Sequence, residues 1–194
     1  MSAFGTRLLA RLAEQVPDLI ETLCAAGSAA SIRYEDRYLR TPCAAAQVRS
    51  LMKALADAGC LAVNTKLIVL TEPPSVHERE RTPHGVGDAW TQVDTQRRAI
   101  ELAVSDLGVP SVQVISRNRA EGPSHRRRLV LEWEGGSRVE VWFDRGLGFA
   151  AVQDRGLEFA FSEEVAKQAE ALKAADWELV PVETHEAYGV VLLA

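Results

Sequence analysis

Ser124-His125-Arg126-Arg127-Arg128-Leu129-Val130-Leu131-Glu132-Trp133, continued after Gly135-Gly136-Ser137 by Val139-Glu140-Val141-Trp142-Phe143, is the stretch that decides the fold. Two runs rich in β-branched, aliphatic and aromatic residues flank a glycine pair, the pattern of a β-hairpin. A loop of Gly135, Gly136 and Ser137 sets Glu134 opposite Arg138, Trp133 opposite Val139, Leu131 opposite Val141 and Leu129 opposite Phe143. Opposite charges then meet near the tip, and apolar residues stack along one face. A slip of one residue would set Glu140 and Trp142 against that apolar set. His125 and Arg127 share the parity of Leu129 and Leu131, whereas Glu132 points to the other face.

Working outward from the hairpin, the chain alternates helix and strand signals. Residues 4 to 26 read as one kinked helix or two short ones, with Leu8, Leu9, Leu12, Val16, Leu19, Ile20 and Leu23 at helical spacing and Pro17 as the kink or second start. Residues 1–28 are therefore expected to form a packing element ahead of an α/β domain over 29–194. Ser31 opens a strand with Ile32 and Tyr34 on one face. Thr41 caps a helix with Pro42 in its first turn. On that helix Ala44, Val48, Leu51 and Leu55 form the apolar stripe, leaving Gln47, Arg49, Lys53 and Asp57 for water. Lys66–Thr71 reads as a buried strand. Thr91–Leu107 is amphipathic, with Val93, Ile100, Ala103 and Leu107 inward, and Ser111–Ser116 is a strand. Phe149–Val152 is a further short strand. Ser162 starts a last helix with Val165, Ala169 and Leu172 as its stripe, and Trp177–Val182 and Tyr188–Leu193 close the chain as strands. The order predicts an α/β fold: a mixed β-sheet with helices on both faces, parallel in its first half and antiparallel around the hairpin.

Composition narrows the function classes. The 194 residues carry a net charge of −5, with 47% hydrophobic and 25% charged residues, ordinary globular values. That balance speaks against coating nucleic acid through the global field but leaves room for a local basic patch. Cys24, Cys43 and Cys60 are widely spaced, with no metal-binding pattern, and read as buried thiols of a cytoplasmic protein. No run is long and apolar enough for a membrane span. His77 and His84, seven apart in a polar segment over 73–90, are weak as metal ligands, and no metal or cofactor is expected.

The local basic patch is real. Between Arg117 and Arg128 lie five arginines, Arg117, Arg119, Arg126, Arg127 and Arg128, against one glutamate, Glu121. Guanidinium groups grip phosphate bidentately. The competing reading is a solvated strand end with arginine stems lying over apolar neighbours. Arg145, in Phe143-Asp144-Arg145-Gly146-Leu147-Gly148-Phe149, extends the candidate set. Asp36 and Arg37 join it by position, after the first strand, where open α/β sheets bind ligands; the alternative is an exposed ion pair. His185 reads as a turn residue.

His125-x-Arg127-x4-Glu132 resembles the His-x-Lys-x4-Asp signature of the phospholipase D superfamily. The glycine-containing segment over 143–149 sits where such domains carry their second element. With Tyr34-Glu35-Asp36-Arg37-Tyr38-Leu39-Arg40 after the first strand, the layout resembles the phospholipase D-like C-terminal domain of MIT-domain proteins. It is also similar to C-terminal regions of bacterial DEAD/DEAH-box helicases linked to phage defence. The resemblance implies a phospholipase D-like half-domain. In its catalytic members the histidine attacks phosphorus, the lysine holds phosphoryl oxygens and the aspartate orients a histidine, two motif copies building one site. Here one copy is present, with Arg127 for lysine and Glu132 for aspartate.

Three functions follow as expectations. The first is a non-catalytic accessory module binding nucleic acid, DNA in preference to RNA, or a partner protein beside a helicase subunit or fused helicase domain in an antiphage system. The second is a phosphodiesterase or nuclease completed by homodimerisation, with His125 as nucleophile. The third is a domain for anionic phospholipid.

Overall fold

In the N-terminal apolar run the chain breaks at Val16-Pro17-Asp18, where Asp18 takes φ 69°, so the two helices α1 (Phe4–Gln15) and α2 (Leu19–Ala26) form instead of one kinked helix. The computed structural model describes residues 4–74, 90–109, 111–117, 127–143, 150–152, 164–174, 179–181 and 188–193. After α2 come β1 (Ser31–Glu35), α3 (Pro42–Asp57), β2 (Lys66–Thr71), α4 (Val93–Val104), β3 (Ser111–Ser116), β4 (Arg127–Glu132), β5 (Arg138–Phe143), β6 (Ala150–Val152), α5 (Val165–Ala174), β7 (Leu179–Pro181) and β8 (Tyr188–Leu193). Thr41 caps α3 as its sequence predicts: its Oγ1 accepts from Ala44 N at 3.2 Å, and Pro42 stands at the first position, where no donor is needed.

Six strands form one sheet in the order β3-β2-β1-β4-β5-β8, and β6 and β7 pair separately. β1, β2 and β3 are parallel, and β4, β5 and β8 continue antiparallel. This is the mixed α/β sheet expected from the alternation.

Coverage of the sheet differs from expectation. Ile32, Tyr34, Leu67, Val69, Leu129, Leu131, Val139, Val141 and Phe143 share one core cluster with helix residues such as Phe4, Leu8, Leu51, Leu55, Ile100 and Leu172. The opposite parity, with Arg33, Glu35, Arg128, Glu132, Arg138 and Glu140, lies outside that cluster. Among the described elements the helices therefore cover one face. The physical reason is direction: β1 to β2 to β3 steps the same way twice, and right-handed crossovers that do not reverse place α3 and α4 on the same side. The N-terminal helices join this layer. A Cβ on Gly5 would stand 2.0 Å from the Ser50 carbonyl oxygen, so only glycine lets α1 approach α3 this closely.

The hairpin keeps its faces but shifts its register by two residues. Leu131 pairs with Val139, Leu129 with Val141 and Glu132 with Arg138. Trp133 leaves the ladder: its N–H donates to the Ser137 carbonyl at 3.0 Å, and its indole N–H to the Gly27 carbonyl at 3.0 Å. Gly136, at φ 86°, completes the longer turn. A shift of two preserves side-chain parity, so the apolar set still meets across the strands.

Three side chains expected in water or inward are placed otherwise. Gln47 and Arg49 of α3 are buried, because α3 sits between α1 and the α4–α5 pair. Arg49 forks onto Asp106 at 2.8 and 3.1 Å and donates to the Ala103 carbonyl. Val93, at the first position of α4, is exposed. Lys53 and Asp57 do face water, paired at 2.7 Å. Cys60 is buried, which pushes its thiol up to about 11, whereas Cys24 is exposed and Cys43 lies outside the described side chains.

Candidate functional site

The carboxyl ends of β1 and β2 gather the charged residues of this protein that are hardest to explain as surface. Asp36 follows β1 directly, its N–H donating to the Leu70 carbonyl at 3.0 Å. Its carboxylate accepts from Tyr38 N at 2.8 Å, an Asx turn, from the Tyr34 hydroxyl at 3.1 Å and from Arg127 Nε at 3.1 Å. Glu72, just past β2, receives Arg37 at 2.7 Å and Arg40 at 2.5 Å. Asp36, Arg37 and Glu72 are each 5–6% exposed. The alternative of an exposed Asp36–Arg37 ion pair is thus corrected: the two neighbours are buried, and each pairs with a residue distant in sequence. Two peptide units after a strand end point them apart, and the strands beside β1 supply the partners.

At the centre stands the Tyr38 ring, 42% exposed. Arg127, Arg37 and Arg40 place guanidinium carbons 4.8, 5.3 and 5.7 Å from its centroid, within cation–π range. Among the described residues, three guanidiniums and two carboxylates meet here. Arg117 adds another nearby: it is exposed, and its N–H donates to the Thr71 carbonyl at 2.9 Å, at the shared end of β2 and β3.

Burial dominates the titration of the cluster. It raises the Asp36 carboxyl above the usual carboxylate range, although the Arg127 charge and three hydrogen bonds oppose it. It also raises the Tyr34 hydroxyl well above its ordinary value, helped by the Asp36 charge beside it.

The other expected residues are placed as follows. Arg128 turns to the opposite face of the sheet, where it forks onto Glu35 at 2.7 and 2.9 Å, reaches Glu140 at 3.4 Å and covers the Trp142 ring at 5.6 Å. Its hydrogen bonds to Glu35 raise its pKa against the opposing effect of burial. Glu132 lies at the far end of β4 on that same face, bonded by Ser31 Oγ at 3.1 Å and 3.8 Å from Arg138. Five residues of strand, about 16 Å, and a change of face separate it from Arg127, so the motif's Arg and Glu do not converge. His125, Arg119, Arg126 and Arg145 lie outside the described residues, as do His77, His84 and His185. Among the described residues no group of His, Cys, Asp and Glu is placed to hold a metal ion, and no helix is long and apolar enough to cross a membrane.

Tyr38, Arg40 and Glu72 were the residues that sequence reasoning left unassigned. One signal was legible: Glu72 follows a buried strand and precedes Pro73, where a charge needs a partner to be tolerated. Which arginines supply it was not legible. Chemically, the arrangement presents guanidiniums around an accessible ring, suited to binding an anion next to a planar group.

A family model described as the C-terminal domain of DEAD/DEAH box helicase YjiV matches residues 1–192. No curated protein and no solved structure matches the chain.

Proposed function

The chain belongs to the family of the DEAD/DEAH box helicase YjiV C-terminal domain, and from that premise we propose that it is a non-catalytic accessory module that binds single-stranded nucleic acid beside a helicase motor. The observation that carries the reading is the exposed Tyr38 ring among Arg37, Arg40 and Arg127, with Arg117 at the same edge of the sheet. Single strands are bound by aromatic rings that take bases and by arginines that follow the phosphates. The phospholipase D-like identity of the half-domain fits the same reading, since a degenerate single motif retains phosphate-binding arginines. The antiphage setting rests on the sequence resemblance and is tested by phage plating with and without the gene.

Fluorescence anisotropy with a labelled oligonucleotide tests the proposal. Binding at low salt should weaken steeply as salt rises, with a log–log slope of about −0.7 per phosphate contacted. Arg117→Ala combined with Tyr38→Ala should abolish most of it. Undetectable binding at low salt, or equal affinity for the double variant, would sink the reading. Duplex DNA, RNA and phosphatidylserine vesicles in parallel rank the ligand classes. Cleavage of bis(p-nitrophenyl) phosphate that disappears in His125→Ala would replace it with the phosphodiesterase.

A further inference from the structure

Asp36 and Glu72 hold the arginines of the Tyr38 edge in unequal ways. Glu72 lies between two guanidiniums, Arg37 at 2.7 Å and Arg40 at 2.5 Å. Asp36 is bonded to one, Arg127, whose Nε stands 3.1 Å from its Oδ1. The same Oδ1 accepts from Tyr38 N at 2.8 Å, so one oxygen fixes both the tyrosine and the guanidinium that lies 4.8 Å from its ring centroid. Oδ2 accepts from the Tyr34 hydroxyl at 3.1 Å. Asp36 and Tyr34 are both buried, so water screens this carboxylate poorly, whereas the Arg127 side chain is 16% exposed. Among the described residues, the charged and titratable groups around Asp36 are Tyr34 on β1, Arg37, Tyr38 and Arg40 after it, Glu72 after β2, Arg117 after β3 and Arg127 on β4.

We propose, resting on the reading of this edge as an anion site, that it binds its anion together with a proton, and that Asp36 carries that proton. A phosphate on Arg127 brings a second negative charge to a guanidinium that already serves the Asp36 carboxylate. At about 6 Å in a partly buried site, two such charges repel enough to change an affinity at least about tenfold. A proton on Asp36 removes that repulsion without dismantling the site. It sits on Oδ2 and is donated to the Tyr34 oxygen, while Oδ1 goes on accepting from Arg127 and Tyr38. Burial, which favours the neutral acid, works in the same direction. The proton and the anion favour the same form of the site, so each strengthens the binding of the other.

Two probes that do not titrate between weakly acid and neutral pH test this on the full chain at constant ionic strength: an oligothymidylate without a terminal phosphate, and sulfate. Oligonucleotide affinity, from anisotropy, should fall at least about tenfold as pH rises above the ordinary carboxylate value. The rise in Tm given by sulfate over chloride should shrink with it. Asp36→Asn keeps an acceptor oxygen for Arg127 and Tyr38. It should bind at neutral pH as tightly as the wild type does in acid, and lose the dependence. Tyr34→Phe removes a hydrogen bond that favours the ionised carboxylate, so it should move the fall to higher pH. Three results would overturn the inference and leave the single-strand reading standing: wild-type binding independent of pH, a dependence that persists in Asp36→Asn because a histidine carries the proton, or weaker binding by Asp36→Asn than by the wild type at neutral pH. Sulfate binding that follows the proton, without oligonucleotide binding, upholds the inference and sinks that reading. Binding of neither probe at any pH overturns both.

Discussion

The two charged regions of this sheet use the same side chains to different ends. On the face away from the described helices, Arg33, Arg128 and Arg138 alternate with Glu35, Glu140 and Glu132 across β1, β4 and β5. Glu35 and Glu140 are buried beneath arginine stems that remain about 30% exposed, and no aromatic ring stands free of the ladder. At the carboxyl edge three arginines meet two buried carboxylates around an exposed tyrosine. Among the described residues the ladder's charges pair with one another. The edge cluster keeps an accessible aromatic surface among its guanidiniums, which is what a ligand can use. Charge density alone does not mark a site; an accessible ring among the charges does.

The largest effect should come from breaking the buried edge. Asp36→Ala leaves Arg127, the Tyr34 hydroxyl and the Tyr38 N–H without their acceptor, and urea unfolding should show a loss of about 3–5 kcal/mol. Glu35→Ala in the ladder should cost clearly less, since Arg128 keeps Glu140 and contact with water. Equal losses would erase the distinction between the regions.

Next, Tyr38→Ala should weaken oligonucleotide binding about tenfold, in line with about 1–3 kcal/mol for a base stacked on an aromatic ring. Trp142→Ala, in the ladder, should leave affinity unchanged. If the two variants behave alike, the Tyr38 edge is not the binding surface.

The pH dependence of stability sharpens the comparison through Asp36. Its carboxyl is raised by burial, so the folded chain holds that proton more tightly than the unfolded one. Its contribution is then full below the ordinary carboxylate value and is lost as pH rises through the raised folded value. Asp36→Asn removes this dependence. The wild-type stability minus that of Asp36→Asn should fall as pH rises above the ordinary carboxylate value; a difference that grows with pH there would contradict the assignment.

The smallest effect is expected at the rim of the ladder. Arg33 is one-third exposed and shares Glu35 with Arg128. Arg33→Gln should change stability by about 0.5 kcal/mol or less, with high salt reducing it further.

Much of the fold was legible because local physics specifies it. The Thr41 cap, the apolar parity of β4 and β5, the stripes of α3 and α5 and the bounds of β3 and β8 follow from periodicity and turn chemistry within a few residues. The candidate site was legible only as a district. Its positions, after the first strand and at the entrance to the hairpin, stood out, but the roles of its residues did not.

What the sequence by itself determined is the order of elements, their faces and the mixed α/β sheet, since each depends on repeats of two or 3.6 residues. What only the tertiary structure decided is which face the helices cover, the two-residue shift of the hairpin, and who neutralises whom. Asp36 and Arg127 are 91 residues apart, Glu35 and Arg128 are 93 apart, and Arg40 and Glu72 are 32 apart. Periodicity assigns a side chain to a face, but a buried charge is satisfied by whatever the neighbouring strand brings beside it. That neighbour is set by chain topology, which leaves no trace in the spacing of residues around either partner.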